Sequence, residues 1–171
     1  MCFKFTISHT MPEDSEKLVE YLNEVGGETD NLSFKQDEFH YSTEEEKDFI
    51  ESVLRNKNGV MLVAKDKSGN IVGESTCISN GRRSSHVFTL GLTVKKKYWG
   101  NKIGTTMIEQ VINRCLKLKC EKIMLQVFHT NIRAIKLYKK LGFKLEGTLK
   151  KDAKINNTYV DAYVMCKFLE V

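Results

Sequence analysis

Between Lys97 and Thr105 the chain reads Lys-Tyr-Trp-Gly-Asn-Lys-Ile-Gly-Thr, and helical spacing follows at Ile103, Met107, Val111, Cys115 and Leu118. A loop whose backbone N–H groups run into a helix start is a natural seat for an anion, because the amides and the helix dipole both favour negative charge there. Gly100 and Gly104 allow a ligand to approach the backbone with no Cβ in the way. The G-x-x-x-x-G-K-[ST] phosphate loop does not fit, since no lysine follows Gly104 and the glycines stand one residue too close. The dinucleotide pattern G-x-G-x-x-G fails as well. The chemistry indicated is the holding of a phosphate-bearing small molecule. Tyr138, on the next helix, can bring a phenolic proton donor to the same side.

The elements that must position these groups are readable in outline. Phe3 to Ser8 alternates as a short strand. Pro12 opens a helix whose stripe is Leu18, Val19, Leu22 and Val25, stopping at Gly26-Gly27. Glu28 to His40 has no clear period. Thr43-x-x-Glu46 matches a capping box, opening a helix with Phe49, Ile50, Val53 and Leu54 on its apolar face. Val60 to Ala64 and Ile71 to Ile78 form a hairpin around Ser68-Gly69-Asn70. Val87 to Val94 is the strand before the loop. Lys122 to Phe128, almost continuously apolar, predicts a central strand covered on both faces. Ala134, Leu137, Tyr138 and Leu141 mark the last helix. Phe143 to Leu149 and Thr158 to Phe168 close the chain as paired strands around Asn156-Asn157. A single α+β domain over residues 1–171 is predicted, with a mostly antiparallel sheet and helices on both faces.

Composition narrows the function classes. Hydrophobic content of 41% and charged content of 29% are ordinary for a globular domain. No apolar run approaches the roughly 18 residues of a membrane span, and the N-terminus lacks a secretory h-region, so a cytoplasmic protein with no membrane partner is predicted. The five cysteines form no C-x-x-C pair and no zinc spacing, and no metal is called for. The net charge of +5 comes with lysines near the loop but no aromatic-interleaved basic face, which argues against nucleic acid.

The stretch from His86 to Phe143 resembles the acyl-CoA-binding core of the GNAT family of N-acetyltransferases. The family's loop, Arg/Gln-x-x-Gly-x-Gly/Ala, is matched by Trp99-Gly100-Asn101-Lys102-Ile103-Gly104, with Trp99 and Lys102 as departures. A lysine at 102 asks for a helix-compatible backbone where glycine is freer. Asn131-Ile132-Arg133-Ala134-Ile135-Lys136-Leu137-Tyr138 and Leu141-Gly142-Phe143 follow the family's N-x-x-A-x-x-L-Y-x-x-x-G-F. The resemblance implies a three-layer acyl-CoA N-acyltransferase-like fold. Its mixed, mostly antiparallel sheet of about seven strands is splayed, so that the pantetheine arm enters between the strand ending at Val94 and the strand beginning near Lys122.

By the same resemblance, acetyl-CoA is the co-substrate, and an amine on a small molecule or protein attacks it directly. The backbone at Leu92, Thr93 and Val94 binds the arm as a neighbouring strand would. Trp99, Gly100, Asn101, Lys102, Ile103, Gly104 and Thr105 hold the pyrophosphate, and Asn131 caps its helix and touches the cofactor arm. Tyr138 gives a proton to the departing thiolate. Relatives often carry a glutamate on the strand before the loop; here Thr89 stands in its place, which turns attention to Glu74 as the base. Glu28, Asp30, Asp37, Glu38 and His40 lie where the family shapes its acceptor pocket, and an acidic wall there attracts an amine. Relatives often pair into homodimers. The alternative reading is a CoA-binding sensor or interaction module without catalysis.

Overall fold

The computed structural model describes residues 4–36, 38–39 and 41–170. The strands are β1 (Thr6–His9), β2 (Gly59–Lys65), β3 (Ile71–Ser79), β4 (Val87–Val94), β5 (Lys122–Phe128), β6 (Lys144–Ile155) and β7 (Thr158–Phe168). They form one sheet in the order β1-β2-β3-β4-β5-β7-β6. Every neighbouring pair is antiparallel except β4 and β5, which run parallel. The helices are α1 (Ser15–Gly26), α2 (Thr43–Asn56), α3 (Ile103–Lys117) and α4 (Ile132–Lys140). Among the described residues no helix is long and apolar enough to cross a membrane.

The sheet divides two apolar cores. On one face Leu18 and Tyr21 of α1 and Ile50 and Val53 of α2 pack on Met61 and Val63 of β2. On the other, Met107 and Val111 of α3 pack with Leu62, Phe88, Leu90 and Leu125. Gly73 brings α3 close to β3, for a Cβ there would lie 3.2 Å from both Ile103 and Met107 side chains.

Several expectations need correcting. β1 begins at Thr6, and Phe3 lies outside the described residues. Pro12 opens a short 3-10 turn, Pro12–Asp14, ahead of α1. The capping box of α2 is Ser42 with Glu45, one residue earlier than the Thr43/Glu46 match: Ser42 Oγ accepts from Glu45 N at 3.2 Å, and Glu45 Oε2 accepts from Ser42 N at 2.8 Å. Leu54 points outward, 40% exposed. β5 is covered on one face only: Ile123, Leu125 and Val127 are buried, whereas Gln126 between them is exposed. β6 runs on to Ile155 through a bulge between Leu149 and Ala153, where Lys151 takes a positive φ of 53°.

The feature that creates a site is the brevity of the β4–β5 ladder. It pairs only Val87 with Lys122, Phe88 with Ile123 and Thr89 with Met124, after which the strands part. The remainder of β4, from Leu90 to Val94, keeps its partner β3 on one side and has an open edge on the other.

The displaced capping box yields a direct check. Ser42→Ala should lower unfolding free energy by about 1 kcal/mol in chemical denaturation, whereas Thr43→Ala should change it by less than about 0.5 kcal/mol.

Candidate active site

The open edge of β4 has a definite polarity. Lys95 N donates to Val72 O at 3.0 Å, and Val94 pairs with Gly73. In an antiparallel ladder the hydrogen-bonding residues alternate, so the Thr93 N–H and C=O turn to β3, while both groups of Leu92 and the carbonyl of Leu90 face into the gap; the Leu90 N–H closes the Thr89–Met124 pairing with β5. Val94 is the exception in part, since its carbonyl accepts from the Trp99 indole Nε1 at 2.7 Å. The gap opens into a cavity of about 1150 Å³ that reaches both layers of helices.

At one end of this cavity stands the loop ahead of α3. The first backbone bond of the helix is Thr106 N to Lys102 O at 3.0 Å, leaving the amides of Ile103, Gly104 and Thr105 without backbone partners. Gly100 has a φ of +86°, and Lys102, the N-cap of α3, sits in the left-handed region at φ 62° and ψ 10°. The expectation of a helix-compatible backbone at Lys102 is thereby corrected: lysine holds a conformation that glycine would adopt without strain. A Cβ on Gly104 would come within 3.3 Å of Leu92 and Leu137, so α3, α4 and β4 converge there.

Trp99 has a second tie. The Arg133 guanidinium of α4 lies 4.3 Å from its ring centre, a cation–π contact that joins the loop to α4. Asn131 is the N-cap of α4, its Oδ1 accepting from Ala134 N at 3.2 Å, and it also lines the cavity. Tyr138 lies two turns further on, 7% exposed, with Phe143 against it at 5.8 Å between ring centres. Burial pushes its phenol up to about 12, so it carries its proton throughout the neutral range.

The opposite wall belongs to the other core. Glu74 pairs with Val63 on β2 and Thr93 on β4, which places its side chain on the α1/α2 face. It is 7% exposed, and its Oε1 has no hydrogen-bond partner among the described residues. Burial, and then the charge of Glu46, push its carboxyl up to about 8. Glu46 of α2 is itself buried and raised by desolvation. Beside them Tyr21 OH and Thr93 Oγ1 share a 2.9 Å hydrogen bond. Glu46, Glu74 and Tyr138 all line the one cavity.

Other sequence candidates stand elsewhere. Glu28 Oε2 accepts from Lys96 N at 2.6 Å, so this carboxylate braces the loop rather than facing an acceptor. Asp30 is exposed and outside the main cavity, and Glu38 turns back to accept from Lys35 N at 2.9 Å. Asp37 and His40 lie outside the described residues. Thr89 lines the cavity, but its hydroxyl donates to Asn80 Oδ1 at 2.7 Å. The acidic wall is therefore Glu46 with Glu74. Glu46 escaped sequence reasoning because it was assigned to the cap, although its place four residues before Ile50 and seven before Val53 set it on the apolar stripe.

Comparison with known proteins decides the family. The family model described as "Acetyltransferase (GNAT) family" matches residues 27–143. The chain belongs to the GNAT acetyltransferase family. It is an N-acetyltransferase, with acetyl-CoA as co-substrate. It is 35% identical to the L-amino acid N-acetyltransferase AaaT of Escherichia coli (strain K12), over 67% of this chain and 72% of that one. It is 37% identical to the spermine/spermidine N(1)-acetyltransferase of Bacillus subtilis (strain 168), over 33% of this chain and 38% of the relative. A GNAT acetyltransferase from Streptococcus pneumoniae superposes with a TM-score of 0.93 at 29% identity, covering 97% of this chain and 100% of the other. The seven-stranded splayed sheet expected from the sequence is thus the family's fold.

Two measurements follow for this GNAT site. Lys102→Gly should raise stability by about 1 kcal/mol in thermal unfolding by removing left-handed strain, while raising KM for acetyl-CoA severalfold through loss of a cation at the helix start. Glu74 should also shape stability against pH. Its folded proton affinity is raised from 4.5 to about 8, so its contribution is whole below about pH 4.5 and is lost as pH rises to about 8. The stability of Glu74→Gln relative to the unaltered protein should therefore grow with pH over that window, reaching a few kcal/mol by pH 9.

Proposed function

We propose that the chain is one domain over residues 1–171 that works in the cytoplasm, where its four described free thiols, Cys77, Cys115, Cys120 and Cys166, are at home. Its acceptor is a primary amine, which attacks the thioester directly. The observation that carries this reading is the unpartnered carboxyl of Glu74, buried in the cavity that also holds Tyr138.

The residues fit an acyl-CoA. The free carbonyl of Leu90 and both groups of Leu92, with the N–H of Val94, offer an extended arm the bonds of a neighbouring strand. The unpaired amides of Ile103, Gly104 and Thr105, with Lys102 beside them, offer a pyrophosphate a positive helix end. Thr93 contributes to the wall through its bond with Tyr21. Glu74 takes a proton from the incoming ammonium, exposing the lone pair that attacks the acyl carbon. A carboxyl poised near 8 is far better matched to an ammonium than one near 4.5. As the tetrahedral adduct collapses, the C–S bond breaks, Tyr138 protonates the leaving sulfur, and the surplus N–H proton of the adduct restores the Tyr138 phenol, leaving the neutral amide. Among the described residues no cysteine lines the cavity, and the transfer is a single displacement.

Steady-state kinetics against pH will test the assignment. Because the ionised form of Glu74 is the base, kcat/KM should climb with pH through about 8 and level off above it. Glu74→Gln should lower kcat on the order of 10²-fold and abolish that limb, and Tyr138→Phe should lower kcat by a similar factor with little change in KM for the amine. An unchanged profile in Glu74→Gln would refute the base. Acetyl-CoA binding with no turnover of any amine would favour the sensor reading.

A further inference from the structure

The cavity has two chemically distinct ends, and the end away from the cofactor loop specifies its guest. Carboxylates line the cavity from three elements: Glu46 on α2 and Glu74 on β3 at this end and, more exposed, Asp152 on β6. Between them runs an aromatic wall. Phe34 and Phe39 meet at 5.8 Å between centres, Phe39 and Tyr41 at 5.4 Å, and Phe49 continues the surface from α2. Leu18 and Leu22 of α1 complete the apolar lining. Among the described residues, the lysine and arginine side chains lining the cavity are Lys102 and Arg133 alone. Both belong to the opposite end, one capping α3 and the other stacked on Trp99.

We propose that the acceptor is a small primary amine with an apolar alkyl or arylalkyl body and no carboxylate. This rests on the reading of Glu74 as the base. An ammonium entering between Glu46 and Glu74 finds opposite charge. A carboxylate on the same carbon would be carried into like charge and stripped of water with no cation at that end to receive it. A polyamine finds a place for one ammonium, but its chain then carries a second charge into the apolar lining, and among the described residues the remaining cavity carboxylate is the exposed Asp152. An apolar body buries its surface on that wall with no such conflict.

Matched pairs of amines differing only in the carboxylate test this: phenethylamine against phenylalanine and isoamylamine against leucine, with phenylalanine methyl ester and spermidine alongside. Two quantities are measured for each, kcat/KM with acetyl-CoA and affinity for the protein saturated with CoA, by calorimetry. Each amine should exceed its amino acid at least tenfold in both, about 1.4 kcal/mol. The methyl ester should recover most of the difference, and Glu46→Gln should shrink it. Spermidine should fall below phenethylamine. An amino acid that equals or exceeds its decarboxylated partner, or spermidine that exceeds phenethylamine, overturns the proposal. Should no amine be acetylated, the reading of Glu74 falls, and the affinities alone then decide: the tenfold order upholds this acceptor class, and a flat or reversed order overturns it.

Discussion

The structure depends on a ladder that stops early. Three residue pairs hold β4 to β5, and among the described residues no ladder pair joins them beyond Thr89 and Met124. Backbone polar groups left without partners are costly when buried, so an interrupted sheet is tolerable only where its edge opens to solvent or to a ligand. The interruption gives this protein a slot running through the sheet, with α3 and α4 behind it and α1 and α2 in front. Everything assigned to catalysis lies along that slot. The loop ahead of α3 sits at one end, Tyr138 inside it, and the carboxylates of the opposite core at the other.

The two faces of the sheet divide the labour by polarity. Behind β4 the residues converge on small contacts: Gly104 against Leu92 and Leu137, Gly73 against Ile103 and Met107. These bring a helix start close to a strand edge. In front, the apolar core of α1 and α2 encloses charge, for Glu46 and Glu74 are buried within the same layer as Leu18 and Ile50. Burial is what keeps a proton on Glu74 near neutrality, and the charge of Glu46 adds to it. The low-dielectric surroundings that make this pair a burden on the fold are the same surroundings that give it useful proton affinity.

Much of this was legible in the residues, and the failures have physical causes. β4, β5 and β7 fell where the residues placed them, although β5 was read from a continuous apolar run and its burial alternates. The Asn131-to-Phe143 pattern placed α4 and its cap, since each residue there has a local job: Asn131 bonds Ala134, Gly142 takes a φ of 88°, and Phe143 packs on Tyr138. β6 was cut short because the bulge at Lys151 breaks its alternation. The carboxylates that line the cavity differ from those the sequence singled out because a carboxylate's sequence position does not say which way it turns. Glu28 and Glu38 are satisfied by backbone N–H groups, whereas Glu46 looked like the capping-box glutamate until Glu45 proved to hold that post with Ser42. Lys102 was read correctly as a departure, but only the backbone showed that lysine accepts a left-handed turn there.

The tie between Trp99 and Val94 has one more consequence. An unsatisfied strand edge is ordinarily a hazard, since it can template pairing with any passing chain and so seed aggregation. Here the edge is recessed at the floor of a notch, its far end is shut by the indole on the Val94 carbonyl, and Arg133 clamps that indole from the helix side. A second sheet cannot approach such an edge broadside. One slender, extended molecule can, and the notch thus works as a filter on shape before any chemistry begins.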